Sequence, residues 1–269
     1  MPVQNDKSFA MVLLPVMQEA GRLIMDIRDR GIEVDRKSDE SPVTQADREA
    51  EVLIFEGLGR LAPDIPIIGE EAVSAGQVPE IGNRFFLVDP LDGTKEFIAG
   101  RSEFTVNIAL IEDGRPVFGM VYAPVLKKLY FTTAAGGAAR IEVDPRGAVI
   151  DPRNLVIEEI GCVLGAGAGL RVVASRSHLS DETKAYLENF EVDEFLSAGS
   201  SLKFCLLAAG EADLYPRLSP TMEWDTAAGQ AVLEAAGGQV LCEDGSPFLY
   251  GKKDVGFLNG GFIARGAIR

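Results

Sequence analysis

The apolar positions change their period along the chain. Phe9, Val12, Leu13, Val16, Ala20, Leu23, Ile24 and Ile27 recur at helical spacing and predict a helix over 8–30. Val52, Leu53, Phe55, Leu58 and Leu61 predict a second helix over 45–61, after a polar, loop-like run from Arg36 to Pro42. Ile65-Pro66-Ile67-Ile68 predicts a short strand ending at Gly69-Glu70-Glu71. Phe85, Phe86, Leu87 and Val88 form an unbroken apolar run that predicts a buried strand stopping at Asp89-Pro90. Residues 104–133 predict a β-meander: Phe104–Ile111 alternates in part, Asp113-Gly114 is a hairpin signal, and Val117–Tyr122 and Lys128–Thr133 follow.

Between 136 and 170 the pattern dissolves into Gly, Ala, Pro and charge, which predicts a boundary near residue 150. Residues 1–150 then form an α+β half with a helical pair and an antiparallel sheet, and 151–269 an α/β half. In the second half Arg171–Ala174, Ala212–Tyr215 and Gln239–Cys242 predict strands. Asp181–Phe190, Ser201–Ala209 and Thr226–Ala236 predict helices, the last closed by Gly237-Gly238. No internal repeat is visible.

At 269 residues and 46% hydrophobic content the chain can bury a sizeable core. A formal charge of −15 repels nucleic-acid backbones and argues against a large nucleic-acid partner. A small phosphorylated substrate stays compatible, because a divalent cation reverses the local field. Cys162, Cys205 and Cys242 have neither zinc spacing nor a disulfide framework, and predict a reducing cytoplasm. The N-terminal stretch lacks the basic region and cleavage site of a leader, and no stretch predicts a membrane span.

The chemistry concentrates in 85–97, FFLVDPLDGTKEF. Asp89 and Asp92 stand at a strand end, separated by a stiff proline and followed by a turning glycine. Carboxylates so placed can ligate hard cations through oxygen. The N–H groups of Gly93, Thr94 and Lys95 open the next predicted helix, where an oxyanion is favoured. Glu70 and Glu71 stand at a strand end in the same way. Asp225, before the Ala-rich helix, is either a further ligand or an N-cap, and Asp47 either supports the site or merely begins helix two. Converging carboxylates about 4 Å apart repel by about 4 kcal/mol per pair at an effective dielectric near 20, so convergence predicts bound cations. An oxygen-only set favours Mg²⁺ or Mn²⁺ over zinc.

Gly69-Glu70-Glu71, Asp89-Pro-Leu-Asp-Gly-Thr94 and Trp224-Asp225-Thr-Ala-Ala resemble the motifs of the inositol monophosphatase superfamily, which comprises Mg²⁺-dependent, lithium-sensitive phosphatases. The form DPLDGTKEF, with Gly199-Ser-Ser-Leu-Lys-Phe-Cys205 and Tyr215-Pro-Arg217 … Met222-Glu-Trp-Asp225, is similar to the CysQ-type 3′(2′),5′-bisphosphate nucleotidases within it. The matches keep their order from residue 37 to about 240.

The resemblance implies an α+β fold of the layered α/β/α/β/α sugar-phosphatase kind, with the site between the halves. It implies two or three Mg²⁺ ions, with Mn²⁺ an allowed substitute and Li⁺ inhibitory. Glu70, Asp89 and the Leu91 carbonyl would hold one cation, and Asp89, Asp92 and Asp225 another. Thr94, supported by Asp47, would orient the attacking water with Glu70. Gly93 and Thr94 would hold the phosphate through their backbone. His178, Ser200, Lys203 and Arg217 match positions that bind the nucleotide, although Lys203 and Arg217 could equally fill solvated faces and His178 could be a capping residue. The implied reaction converts adenosine 3′,5′-bisphosphate to AMP and phosphate, in sulfur assimilation or nucleotide recycling. The implied location is cytoplasmic, or peripheral at the inner membrane.

An inositol or sugar monophosphatase with the same metal site is the nearest rival. Lys203 and Arg217 have little purpose with a single phosphate and weigh against it. A non-catalytic metal-responsive binding protein is the rival from another class. Thr94 and Asp47, which have no use in a sensor, weigh against that.

Overall fold

A computed structural model describes residues 7–36, 42–163, 169–174 and 180–267. In chain order the helices are α1 (Lys7–Arg30), α2 (Gln45–Leu61), α3 (Glu70–Ser74), α4 (Thr94–Ile98), α5 (Asp181–Leu187), α6 (Leu202–Ala208) and α7 (Ala227–Ala235). The strands begin with β1 (Val34–Arg36), β2 (Pro42–Thr44), β3 (Ile67–Gly69), β4 (Arg84–Asp92), β5 (Thr105–Glu112) and β6 (Arg115–Ala123). They continue with β7 (Lys128–Thr132), β8 (Ala138–Glu142), β9 (Glu158–Ile160), β10 (Leu170–Ala174), β11 (Val192–Ser197) and β12 (Leu214–Arg217). The last are β13 (Thr221–Met222), β14 (Gln239–Cys242), β15 (Leu258–Asn259) and β16 (Phe262–Arg265).

Seven strands form one sheet in the order β3-β4-β5-β6-β7-β8-β9, antiparallel except for the β3–β4 pair. Its two faces carry different layers. Phe86, Val88, Ile108, Met120 and Tyr122 pack with Leu13, Leu14 and Met17 of α1 and Ile54 and Leu58 of α2. Phe85, Leu87, Ala109 and Val121 point the other way, onto Phe204 and Cys205 of α6 and Ala228 and Val232 of α7. A strand covered on both faces has no polar side, which is why Phe85–Val88 reads as an unbroken apolar run. Helix α7 approaches β6 so closely that a Cβ at Gly119 would overlap the Ala228 carbonyl.

The far side of α6 and α7 meets a second, five-stranded sheet, ordered β11-β10-β12-β16-β14, through Val173, Tyr215, Val240, Phe262 and Ala264. Its outer face packs Val172, Leu214 and Ile263 against Leu187 of α5. The layers therefore run helix pair, sheet, helix pair, sheet, helix, the architecture implied by the resemblance. The central helical core draws on residues from both sides of position 150, and β9 adds to the first sheet. Among the described residues no helix is long and apolar enough to cross a membrane.

Local details depart from the periodicity. The buried stripe of α1 takes in Ala10, Leu14 and Met17, whereas Val12 is half exposed. The segment 136–163 is not patternless: β8 and β9 lie in it. Strand β4 does not stop at Asp89-Pro90 but resumes, after a register shift, with Asp92 opposite Thr105. Residues 37–41, 164–168 and His178 lie outside the described residues.

Candidate active site

The end of β4 sets the geometry. Pro90 has no N–H to continue the ladder, so pairing skips from Asp89 opposite Asn107 to Asp92 opposite Thr105. Asp89 is buried, and its Oδ1 accepts the Leu91 N–H at 2.9 Å. Burial, followed by the charges of Glu70, Asp92 and Asp225, raises its carboxyl well above the usual range. Asp92 is pushed up to about 6, first by burial and then by Asp225, with Lys203 pulling the other way. Four carboxylates from three distant segments therefore share one electrostatic neighbourhood.

Glu70 arrives there because β3 runs parallel to β4, with Gly69 opposite Val88. The start of α3 is held by Glu51, whose carboxylate accepts the N–H groups of Glu71 (2.8 Å) and Ala72 (2.7 Å). A Cβ at Gly69 would overlap that carboxylate.

Gly93 turns the chain with φ +94°, and Thr94 opens α4. Ser200 Oγ sits where a Gly93 Cβ would be, and lies 2.7 Å from the Asp92 carbonyl and 2.9 Å from the Glu103 carbonyl, with one proton to share between them. Thr94 Oγ1 donates to Asp47 Oδ1 at 2.9 Å and lies 3.3 Å from the Leu91 carbonyl. Asp47 does two jobs. Its Oδ2 accepts the Thr44 N–H (2.7 Å) and hydroxyl (2.6 Å), completing a capping box on α2, while Oδ1 holds Thr94.

Asp225 is not an N-cap. Thr226 occupies that position on α7, and Asp225 Oδ2 instead accepts Thr221 Oγ1 (2.6 Å) and the Met222 N–H (3.2 Å).

Glu70, Asp92, Gly93, Thr94, Ser200, Lys203, Arg217 and Asp225 all line one cleft of about 300 Å³. Lys203 is only 4% exposed. Its Nζ donates to the Ser200 carbonyl at 2.8 Å and lies 5.2 Å from the centre of the Tyr215 ring. Arg217 Nη2 donates to the Pro220 carbonyl at 3.0 Å, and its buried Nε has no hydrogen-bond partner among the described residues.

The donor chemistry fits a hard divalent cation: carboxylate and carbonyl oxygens, with Lys203 easing the charge on Asp92. Among the described residues no three acidic, imidazole or thiol groups already stand in a metal-ligating cluster. Glu70, Asp92 and Asp225 thus share a cleft, with Asp89 and Leu91 buried outside its lining, rather than forming a finished coordination sphere.

Sequence reasoning missed several residues that hold this arrangement. Ser201, Asn107 and Thr221 bond the carboxylates of Asp92 and Asp225, and Glu51 seats α3. Ser201 lies within a quoted motif, but nothing there separates its task from that of Ser200. Asn107 offers one signal, a lone amide in an apolar strand.

The family model of the inositol monophosphatase family matches residues 5–266. The 3′(2′),5′-bisphosphate nucleotidase CysQ of Salmonella typhimurium is 47% identical over 247 residues, covering 91% of this chain and 94% of that protein. CysQ of Escherichia coli K12 is 44% identical over the same shares. Among solved structures, CysQ from Bacteroides thetaiotaomicron, described as a bacterial member of the inositol monophosphatase family, aligns with TM-score 0.79 and 38% identity over 98% of each chain. An IMPase of Thermotoga maritima aligns with TM-score 0.74 and 26% identity, over 94% of this chain and 90% of its own. A match spanning nearly the whole chain, on a fold with the same layering, places this protein in the inositol monophosphatase family of phosphatases.

Proposed function

We propose that the chain is a Mg²⁺-dependent 3′(2′),5′-bisphosphate nucleotidase, hydrolysing adenosine 3′,5′-bisphosphate with one water to AMP and phosphate. The observation that carries this reading is the pair Lys203 and Arg217 in the same cleft as the carboxylates, with Arg217 Nε buried and unpartnered among the described residues. The guanidinium lines the cleft beside Lys203, and paired cations there suit an anionic group of the substrate. A monophosphate engaged at the carboxylate cluster leaves both cations without an anionic ligand of their own; a second phosphate supplies one.

Glu70, Asp89, Asp92, Asp225 and the Leu91 carbonyl would hold the cations, two or three Mg²⁺ with Mn²⁺ able to replace them. When bound, they supply charge neutralisation at the phosphoryl group. Thr94 spends its only proton on Asp47, so its oxygen is left as an acceptor that can fix one hydrogen of the attacking water. The Glu70 carboxylate, at the start of α3, would accept the other. Gly93 and Thr94 would hold the phosphate oxygens through their N–H groups. The water oxygen bonds to phosphorus as the bond from phosphorus to the ribose 3′ oxygen breaks; one water proton passes to that oxygen, which leaves as the 3′-hydroxyl, and the other stays with the phosphate. Asp47, clamped by Thr44, keeps Thr94 from rotating away.

The test is phosphate release from adenosine 3′,5′-bisphosphate and from myo-inositol 1-phosphate in parallel, with Mg²⁺ and with Li⁺ added. The reading requires Mg²⁺-dependent, Li⁺-suppressed release from the nucleotide with a large advantage over the inositol ester. Preference for the inositol ester would assign the chain to the monophosphatases instead.

A further inference from the structure

Ser201 and Asn107 are each 1% exposed and lie behind the cleft lining, out of reach of a substrate. Yet their hydrogen bonds converge on the site. The Ser201 N–H donates to Asp92 Oδ2 at 2.6 Å. Its hydroxyl oxygen lies 2.6 Å from the Asp225 carbonyl and 3.1 Å from the same Asp92 oxygen. A hydroxyl has one proton, and the shorter bond, to Asp225, takes it. The Ser201 oxygen then accepts Asn107 Nδ2 at 2.9 Å, which also reaches Asp92 Oδ2 at 3.3 Å. One serine thus joins the end of β4, the middle of β5 and the turn before α7.

Asn107 carries a cost that packing alone does not explain. It sits among Val106, Ile108 and Ala109 on a fully buried strand, and its Oδ1 has no partner among the described residues. An apolar residue would be the better filler there. What the amide contributes is the direction of its N–H₂.

We infer that Ser201, steered by Asn107, is a positioning residue that pins Asp92 Oδ2 and the Asp225 backbone, so that the other oxygen of Asp92 and the carboxylate of Asp225 face a common cation. Asp225 completes the arrangement, its own Oδ2 being held by Thr221. The inference rests on reading Asp92 and Asp225 as cation ligands. Hydrogen bonds to a ligating carboxylate orient it, and their loss costs metal affinity about 10- to 100-fold.

The experiment is Mn²⁺ binding to the full chain, followed by the electron paramagnetic resonance of free Mn²⁺, on wild type, Ser201→Ala, Asn107→Ala and Asp92→Asn. Metal-free melting and the KM for adenosine 3′,5′-bisphosphate at saturating Mg²⁺ are recorded alongside. Ser201→Ala keeps the backbone N–H on Asp92 Oδ2 but loses the hydroxyl that holds the Asp225 carbonyl and seats Asn107, so it should weaken Mn²⁺ about tenfold and raise the Mg²⁺ needed for half-maximal rate by the same factor, with KM changed less than about twofold. Asn107→Ala, which removes the amide N–H groups that reach Asp92 and Ser201 but leaves the Ser201 hydroxyl on the Asp225 carbonyl, should weaken Mn²⁺ by about threefold to tenfold and serves if the serine variant does not fold. Wild-type Mn²⁺ affinity in folded Ser201→Ala and Asn107→Ala, with binding lost in Asp92→Asn, would overturn the inference alone. Wild-type affinity in Asp92→Asn as well would overturn the ligand reading beneath it.

Discussion

Lys203→Met separates the two phosphates of the proposed substrate. The variant keeps an unbranched stem of similar length against the Tyr215 ring but removes a charge that is 4% exposed and faces the cleft. A unit charge about 4 Å from a phosphate oxygen contributes about 4 kcal/mol gross at an effective dielectric near 20. Net of desolvation, a charged hydrogen bond is worth about 1.5–3 kcal/mol. That is about a 10- to 150-fold loss in kcat/KM for adenosine 3′,5′-bisphosphate. Adenosine 3′-monophosphate lacks the 5′-phosphate, and its kcat/KM should fall by less than about threefold. The assay is phosphate release from both nucleotides by both proteins, read as a double difference. Equal losses on the two substrates would refute the reasoning, because Lys203 also eases the charge on Asp92 and would then serve the carboxylates rather than the second phosphate. No loss on either would remove it from the site.

Gly93→Ala must hold a side chain at φ +94° and displace Ser200 Oγ, so it should lower the melting temperature and abolish most activity; Gly237→Ala has φ +92° but open space, and should cost only about 1–2 kcal/mol while leaving kcat/KM intact. Thr44→Ala and Asp47→Ala each break the capping box for about 1 kcal/mol, or about 2–4 °C in melting. Only Asp47→Ala also frees Thr94, so kcat should drop about 100-fold there and stay within a few-fold in Thr44→Ala. The raised carboxyls give a pH dependence: a folded-state value near 6 for Asp92, above its ordinary 3.8, means a contribution to stability that is complete below 3.8 and lost as pH rises through about 6. Bound Mg²⁺ opposes that loss, so the Mg²⁺-induced rise in melting temperature should be larger at about pH 7.5 than at about pH 5, and a pH-independent rise would contradict the crowding of these carboxylates.

The parts of the fold that are local in sequence were legible in it. Asp47 begins α2 close to where the apolar spacing predicts, and the run Phe85–Val88 reveals a buried strand. The direction of a helical stripe is not local. Spacing alone cannot tell that α1 buries Leu14 and Met17 and leaves Val12 half exposed, because that depends on where the sheet lies. Strands β8 and β9 escape notice because short strands near a sheet edge take their identity from the neighbour they pair with. The order β12-β16-β14 is likewise set by pairing across long separations. At the site, the acidic residues announce themselves by their motifs. The groups that aim them do not: Ser201, Asn107 and Glu51 act across intervals of up to 109 residues, and no spacing rule reaches that far.

The most direct measurement is a crystal structure grown with Mn²⁺ and AMP, with anomalous differences collected at the manganese edge. The account predicts at least two manganese peaks bounded by Glu70, Asp89, Asp92 and Asp225, with nucleotide phosphate within reach of Lys203 and Arg217. Manganese bound elsewhere, with these four carboxylates left unligated, would contradict it.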